Sequence, residues 1–298
     1  MIELNDEHVV FSFDKYAEPV LTVKSGETVR IHTKDCFGEQ IKSYDDNLDE
    51  IDWGAINPAT GPVYVEQAVP GGSLRVEILN IELHDQAVCS TGKNEGVYGD
   101  LLSQEVFHLC KVEGQRLVWD EKLSLPVRPM IGVIGVAPAK GSVNCGTPDT
   151  HGGNMDSNKI TVGAVLHFPV SVAGALFACG DMHALMGDGE IGVSGAEIGG
   201  WATVRLTAEP DLHLTTPVFE NDDEFGVIYS AETLDEAADK AVHILIDLVA
   251  ERTGAKPAEL AMLFSLVGNV EVCQMVDPLR TIRFVVPKTT LSAFGFVL

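Results

Sequence analysis

The sequence predicts an α+β fold dominated by strands, a sandwich- or barrel-like β body followed by a C-terminal α/β portion. Three observations carry this. Segments of the 298-residue chain up to about residue 208 alternate apolar and polar side chains at period two. A clear helical stripe occurs late, at 233–253. Long Gly-, Asn- and Asp-rich links at 38–58 and 139–158 separate the strand-like runs, and links of that length in a compact domain are usually either functional or floppy.

In chain order, 8–13 (HVVFSF), 19–23 (PVLTV), 28–32 (TVRIH) and 73–81 (SLRVEILNI) are β-branched and aromatic runs bounded by Gly, Pro or Asp. Pro70, Gly71 and Gly72 form the turn that opens the last of these. Further strands are expected at 160–162, 164–169, 173–179, 203–208 and 281–286. In 233–253, Leu234, Ala237, Ala241, Val242, Leu245, Leu248 and Val249 share one stripe, and charged residues lie largely opposite. Thr233 with Glu236 reads as a capping box, and Gly254 ends the helix. A shorter helix is expected from Pro257 to Val267, with proline in its first turn. No linker divides the chain, so residues 1–298 are read as one domain.

Composition narrows the partners. Twenty Lys and Arg face 44 Asp and Glu, a formal charge of −24. Nucleic acid and anionic membranes require a basic footprint, so neither is expected as a partner. A small neutral substrate is compatible with this balance. The six cysteines show no zinc-finger spacing, and the N-terminus has neither a basic region nor an apolar signal core. The thiols are therefore read as reduced and the chain as cytoplasmic. Exposed strand edges suggest a homodimer.

The densest chemistry lies in 180–197 (GDMHALMGDGEIGVSGAE), directly after the apolar run 173–179 (AGALFAC). Asp181 and His183 are two apart, so a continuing strand would aim both at one face. A carboxylate and an imidazole on one face suit a metal or proton-transfer site. The plain alternative is a polar turn after a core strand. His151 and Asp156 share a Gly-rich loop, and Asp35 closes a strand beside Cys36. With Asp181 and His183 these could supply the three N/O ligands of a hydrolytic metal: Asp35, Asp181 and His183, with His151 or Asp156. Zinc suits that donor set best, with calcium or magnesium as the all-oxygen alternatives. Glu190 and Glu197 are the general-base candidates. Cys36, two residues from Lys34, is weighed as a nucleophile and read as a buried thiol instead.

The run 180–197 also resembles the signature of the acetamidase/formamidase family at Gly180, Asp181, His183, Ala184, Gly187, Asp188, Gly189, Glu190 and Glu197. It departs at Met186, where the family has glutamine, and over 193–196 (VSGA). The segments 33–41 (TKDCFGEQI), 57–65 (NPATGPVYV), 151–156 (HGGNMD) and 277–288 (DPLRTIRFVVPK) resemble the family too, so the likeness spans nearly the whole chain. The resemblance implies an acetamidase/formamidase-like fold. It also implies hydrolysis of short amides, formamide and acetamide, to carboxylate and ammonia. Met186, Gly187, Asp188 and Asn154 are then expected to contact substrate, and backbone amides of the glycine loop to hold the oxyanion. Five glycines should let that loop close tightly and favour the smallest amides. The departures at Met186 and 193–196 keep a second reading open, a non-catalytic metal-binding or structural homologue.

Overall fold

The computed structural model describes residues 1–298, the side chain of Asp49 excepted. Two large, mostly antiparallel sheets face each other. The first has nine strands. Its outer strand Ile2–Leu4 is followed by Glu27–Thr33, Gly200–Glu209, Ser73–Leu83 and Val165–Pro169. It then runs through Val218–Glu220, Glu224–Ala231, Arg280–Pro287 and Asn269–Gln274. The second sheet has eleven, and its centre matters most here: Gln86–Thr91, Glu197–Ile198, Phe177–His183, Met130–Gly135 and Gly152–Asn154 lie side by side. The strand Ala59–Val65 also pairs with Phe177–His183.

The core fills the space between the sheets. Val29, Ile31, Val76, Ile78, Val204 and Leu206 from the first meet Ile131, Ile134, Phe177, Cys179 and Met182 from the second, all buried. Each such aliphatic or aromatic side chain contributes about 1.5–3 kcal/mol when removed from water. A second core lies at the far end of the nine-stranded sheet. There the helices Leu234–Thr253 and Pro257–Val267 bury Leu245, Val249, Leu260 and Phe264 against Val227, Ile282 and Phe284. Both helices form where the sequence places them. Thr233 accepts the Glu236 N–H at 3.2 Å, Gly254 takes the left-handed cap at φ 72°, and Pro257 opens the second helix. The fold is thus the β-dominated α+β arrangement expected.

Some strands differ from expectation. Residues 160–162 form no strand; Ile160 is buried just before a bend at Thr161, whose hydroxyl donates to the Pro129 carbonyl at 2.6 Å. The run 173–179 becomes extended only at Phe177, because Gly174, Ala175 and Leu176 have φ of 76°, 59° and 57°. The apolar pattern of 8–13 splits into Val9–Val10 and Ser12–Asp14. Met130–Gly135 was not expected, since a strand buried along its whole length shows no alternation to read.

Candidate active site

The site lies at the end of the strand Phe177–His183 and on the turns that leave it. This strand is buried at every residue. Asp181 has a left-handed backbone, φ 52°, within the strand, so it reaches His183 by a local irregularity rather than by plain alternation. The His183 Nε2 lies 3.0 Å from Glu197 Oε2, 3.5 Å from Asp181 Oδ1 and 3.9 Å from Asp156 Oδ1. Glu197 pairs with His183 across the sheet, and its other oxygen accepts the Gly195 N–H at 2.7 Å. Asp156 enters from the turn after Gly152–Asn154. Glu190 comes from the loop beyond His183, and its carboxylate lies within 4.8 Å of ligand atoms of Asp156 and His183. Cys36 stands in the same relation to Asp181 and Glu197. Asp277 completes the cluster beside Asn154, whose amide donates to it at 2.9 Å.

Absent side chains make the room. A Cβ on Gly132 would strike Asp156 Oδ1 and stand 2.9 Å from Asp181 Oδ2. A Cβ on Gly195 would stand 2.6 Å from His183 Nδ1. The loop carrying Glu190 is pinned from behind. Gly189 exchanges backbone hydrogen bonds with Cys273 and Met275, at 3.0 and 3.2 Å, and Asp188 pairs with Arg283 at 2.6 Å. Arg283 is almost wholly buried and also holds Glu271 at 2.5 Å.

Electrostatics follow from packing acids together out of water. Burial, then the charges of Asp277 and Asp181, push the Asp156 carboxyl well above the carboxylate range. Burial and Asp156 do the same to Glu190; burial and Glu190 do it to Asp277. Burial and Asp181 raise Glu197 to about 7, against the pull of His183. Burial opposes a charged His183, yet Glu197 and Asp181 together hold its pKa well above the usual value. Burial likewise opposes the Asp181 carboxylate, and its contacts with His183 keep it low.

Five carboxylates sharing one imidazole need protons or a cation to balance them. Asp156 Oδ1 and Oδ2, Asp181 Oδ1, Glu197 Oε2 and both His183 nitrogens are buried and make no hydrogen bond of good geometry among the described residues. Buried polar atoms left this way cost free energy unless something else satisfies them. Tetrahedral N/O ligands about 2.1 Å from an ion stand roughly 3.4 Å apart, close to the spacings around His183 Nε2. The donor set therefore fits a metal ion.

A sequence model of the Acetamidase/Formamidase family matches residues 5–144 and 94–231. The chain belongs to the acetamidase/formamidase family. It is 45% identical to a predicted acetamidase/formamidase of Thermoanaerobacter tengcongensis, with a TM-score of 0.98 over 100% of this chain and 99% of that one. Against an acetamidase of Bacillus halodurans the values are 41% and 0.97, over 99% of this chain and 100% of the other. A formamidase of Methylophilus methylotrophus is 26% identical over 265 residues, 67% of this chain and 65% of its own length. The chain thus spans about two thirds or less of the curated relatives it matches, 65% of that formamidase and 62% of a Mycolicibacterium smegmatis acetamidase.

Within this acetamidase/formamidase fold, Asp181, His183, Glu190 and Glu197 come together, and Asp156 joins them. Asp35 does not: its Oδ1 accepts the Glu39 N–H at 2.7 Å, capping its own loop, and burial raises its carboxyl to about 6. The neighbour Cys36 enters the cluster in its place. Burial, Glu197 and Asp181 push that thiol well up, which disfavours a thiolate nucleophile. His151 also stands outside the two groups of ligand atoms. Its ring meets Phe13 edge-on at 5.1 Å, and burial lowers its pKa to about 4. Met186, Gly187 and Asp188 line a cavity of about 700 Å³, although Asp188 is also engaged by Arg283. Asn154 is turned to Asp277. The expected oxyanion donors are largely taken, since the N–H groups of Gly189, Glu190, Val193 and Gly195 all bond within the protein. Asp277, Gly132 and Arg283 escaped the sequence reading; the only pointer to two of them was the family-like segment 277–288. Among the described residues no helix is long and apolar enough to cross a membrane, and the six cysteines are free.

Proposed function

We propose that this chain hydrolyses primary carboxamides, formamide and acetamide among them, to carboxylate and ammonia at the Asp181–His183 cluster. The observation that supports this most is the convergence of Asp156, Asp181 and Glu197 on His183 Nε2 at 3.0–3.9 Å, in a family whose relatives carry the names formamidase and acetamidase. Asp156, Asp181, His183 and Glu197 would hold a divalent cation, zinc by the mixed nitrogen and oxygen donors. When bound, that cation supplies Lewis-acid polarisation of the amide carbonyl.

The chain's own residues do the rest. Glu190 lines the cavity and touches the cluster, so it is the group that moves a proton. Ionised, as a bound cation beside it would favour, its carboxylate takes a proton from attacking water and returns it to the departing nitrogen. Water oxygen joins the acyl carbon, the C–N bond breaks and ammonia leaves. Glu197, tied to the Gly195 N–H, orients His183. The pinned loop 187–190 fixes the angle at which Glu190 meets the carbonyl. The chain is read as cytoplasmic and homodimeric, from its reduced cysteines and from edge strands such as Asn269–Gln274, whose Val270 is exposed.

Metal content by plasma mass spectrometry and ammonia release from formamide and acetamide test this together. Asp181→Asn and His183→Ala should each lose metal and activity with circular dichroism unchanged. Full metal occupancy in both variants, or no ammonia from any amide by metal-loaded protein, refutes it.

A further inference from the structure

The 700 Å³ cavity beside the cluster is far larger than formamide or acetamide requires. Pockets of roughly 300–1,000 Å³ hold ligands of drug size. Its wall is apolar: Phe107, Leu117, Trp119, Leu125, Leu185 and Met186 contribute to it. Glu190 joins it to the chemical site. Glu190 lines the cavity and belongs to the ligand group with Asp156 and His183. Gly195 lines it too, and lies so close to the His183 ring that a Cβ would stand 2.6 Å from Nδ1. A molecule with a polar amide and an apolar tail would therefore meet both ends at once.

Resting on the amidase reading above, we propose that this cavity is an acyl-group subsite for primary carboxamides with an aryl-alkyl or branched-alkyl group. The amide lies at Glu190, the member of the cluster that lines the cavity, and the apolar acyl group extends between Leu117, Trp119, Leu125 and Met186. Met186 stands where the family pattern has glutamine. A thioether side chain buried in this wall adapts to irregular apolar groups and has no amide to bind a polar substrate. The cramped site expected from the glycine count of the loop is not what this cavity favours: of the five glycines only Gly195 abuts His183, and nothing lies within 4 Å of a Cβ at Gly187. The space lies against Gln86–Thr91 and Val106–Glu113, with Glu190 in its wall.

Each methylene that leaves water for this wall should raise kcat/KM about fourfold. Ammonia release is measured for acetamide, butyramide, hexanamide and phenylacetamide. Calorimetry measures binding of phenylacetamide, and both are repeated with Trp119→Ala. Trp119 is 38% exposed, so its loss should leave the fold intact. The expected result is a rising series, with hexanamide and phenylacetamide ~30-fold or more above acetamide. Trp119→Ala should cut the two large amides ~10-fold or more and leave acetamide within about twofold. If acetamide is hydrolysed and the series is flat or falls, the subsite is refuted and the amidase reading stands. If no amide is hydrolysed, the amidase reading fails and calorimetry decides the cavity. Phenylacetamide binding weakened by Trp119→Ala upholds the subsite, and no binding overturns it.

Discussion

Gly132→Ala tests whether the geometry of the acid cluster, rather than its composition, makes the site. Gly132 lies on Met130–Gly135, beside Phe177–His183, and its added methyl would strike Asp156 Oδ1 and come to 2.9 Å from both Asp181 Oδ2 and the Asp181 carbonyl oxygen. These groups must give way, and the Asp181 carbonyl, part of the strand backbone, cannot rotate aside as a side chain can. Overpacking of this kind costs about 1–3 kcal/mol. In a chain of this size that is a fall of a few degrees in melting temperature, about 2–4 °C for each kcal/mol. The effect on chemistry should be far larger, because a displacement of about 1 Å of reacting groups costs on the order of 100-fold in rate. The assay is ammonia release and metal content, run beside thermal unfolding. The expected pattern is a small stability loss with metal affinity and kcat both reduced. A variant that melts several degrees lower but keeps full metal and wild-type turnover would refute the idea that Gly132 sets the positions of Asp156 and Asp181.

Three further outcomes are expected. Cys36→Ala should keep at least a tenth of wild-type turnover, whereas losing a true nucleophile costs several orders of magnitude; a fall to background with metal still bound would reinstate the thiol. Away from the cluster, the His167 ring 3.7 Å away, resisted by burial and helped by Lys288, holds Glu220 at about 2, and burial opposes while Glu209 and Glu220 raise His167. The Glu220 contribution is full above pH 4.5 and disappears as pH falls towards 2. That of His167 is full below pH 6.5 and fades as pH rises through its folded value. Glu220→Gln should therefore cost most between about pH 4.5 and 6.5, on the order of 1–2 kcal/mol after solvent screening; a pH-independent loss in denaturant melts would count against the pair. Finally, Glu190→Gly should stabilise the protein by roughly 1 kcal/mol while abolishing turnover, since it releases a left-handed φ of 46° and a buried acid among acids; an earlier unfolding midpoint would contradict this.

The sequence was most legible where one local rule decides the outcome. Helix 234–253 has its stripe, its Thr233 cap and its Gly254 stop within one segment, and all three appear in the structure. Strands with one wet face were readable by alternation, as in Ser73–Leu83. Met130–Gly135, buried on both faces, offered no period. Within the site, Asp181, His183, Glu190 and Glu197 were found because they crowd one short run. Asp277 and Gly132 were invisible for the opposite reason: they reach the cluster from strands and turns distant in sequence. Asp35 was misplaced by one residue. A strand end puts neighbours on opposite sides, and nothing local says that Asp35 will close its own loop on Glu39 while Cys36 turns inward.

The backbone of the acids supplies the remaining step. Asp156, Asp181 and Glu190 have φ of 45°, 52° and 46°, in a region that costs non-glycine residues on the order of 1–3 kcal/mol. A fold under selection for stability alone would place glycine or asparagine at such positions. Here all three aim carboxylates into one buried volume, where their mutual repulsion adds to the cost. The surrounding structure overrides both penalties. Phe177–His183 is paired on both sides, Glu190 is tied down through Gly189 and the Asp188–Arg283 pair, and Asn154 holds Asp277. Three strained acids converge at this point, and the apolar cavity reaches it at Glu190. That coincidence is the argument for the amide chemistry proposed at the cluster. It also explains why the acids are rigidly presented, since a carboxylate free to turn away would relieve the repulsion and lose the site.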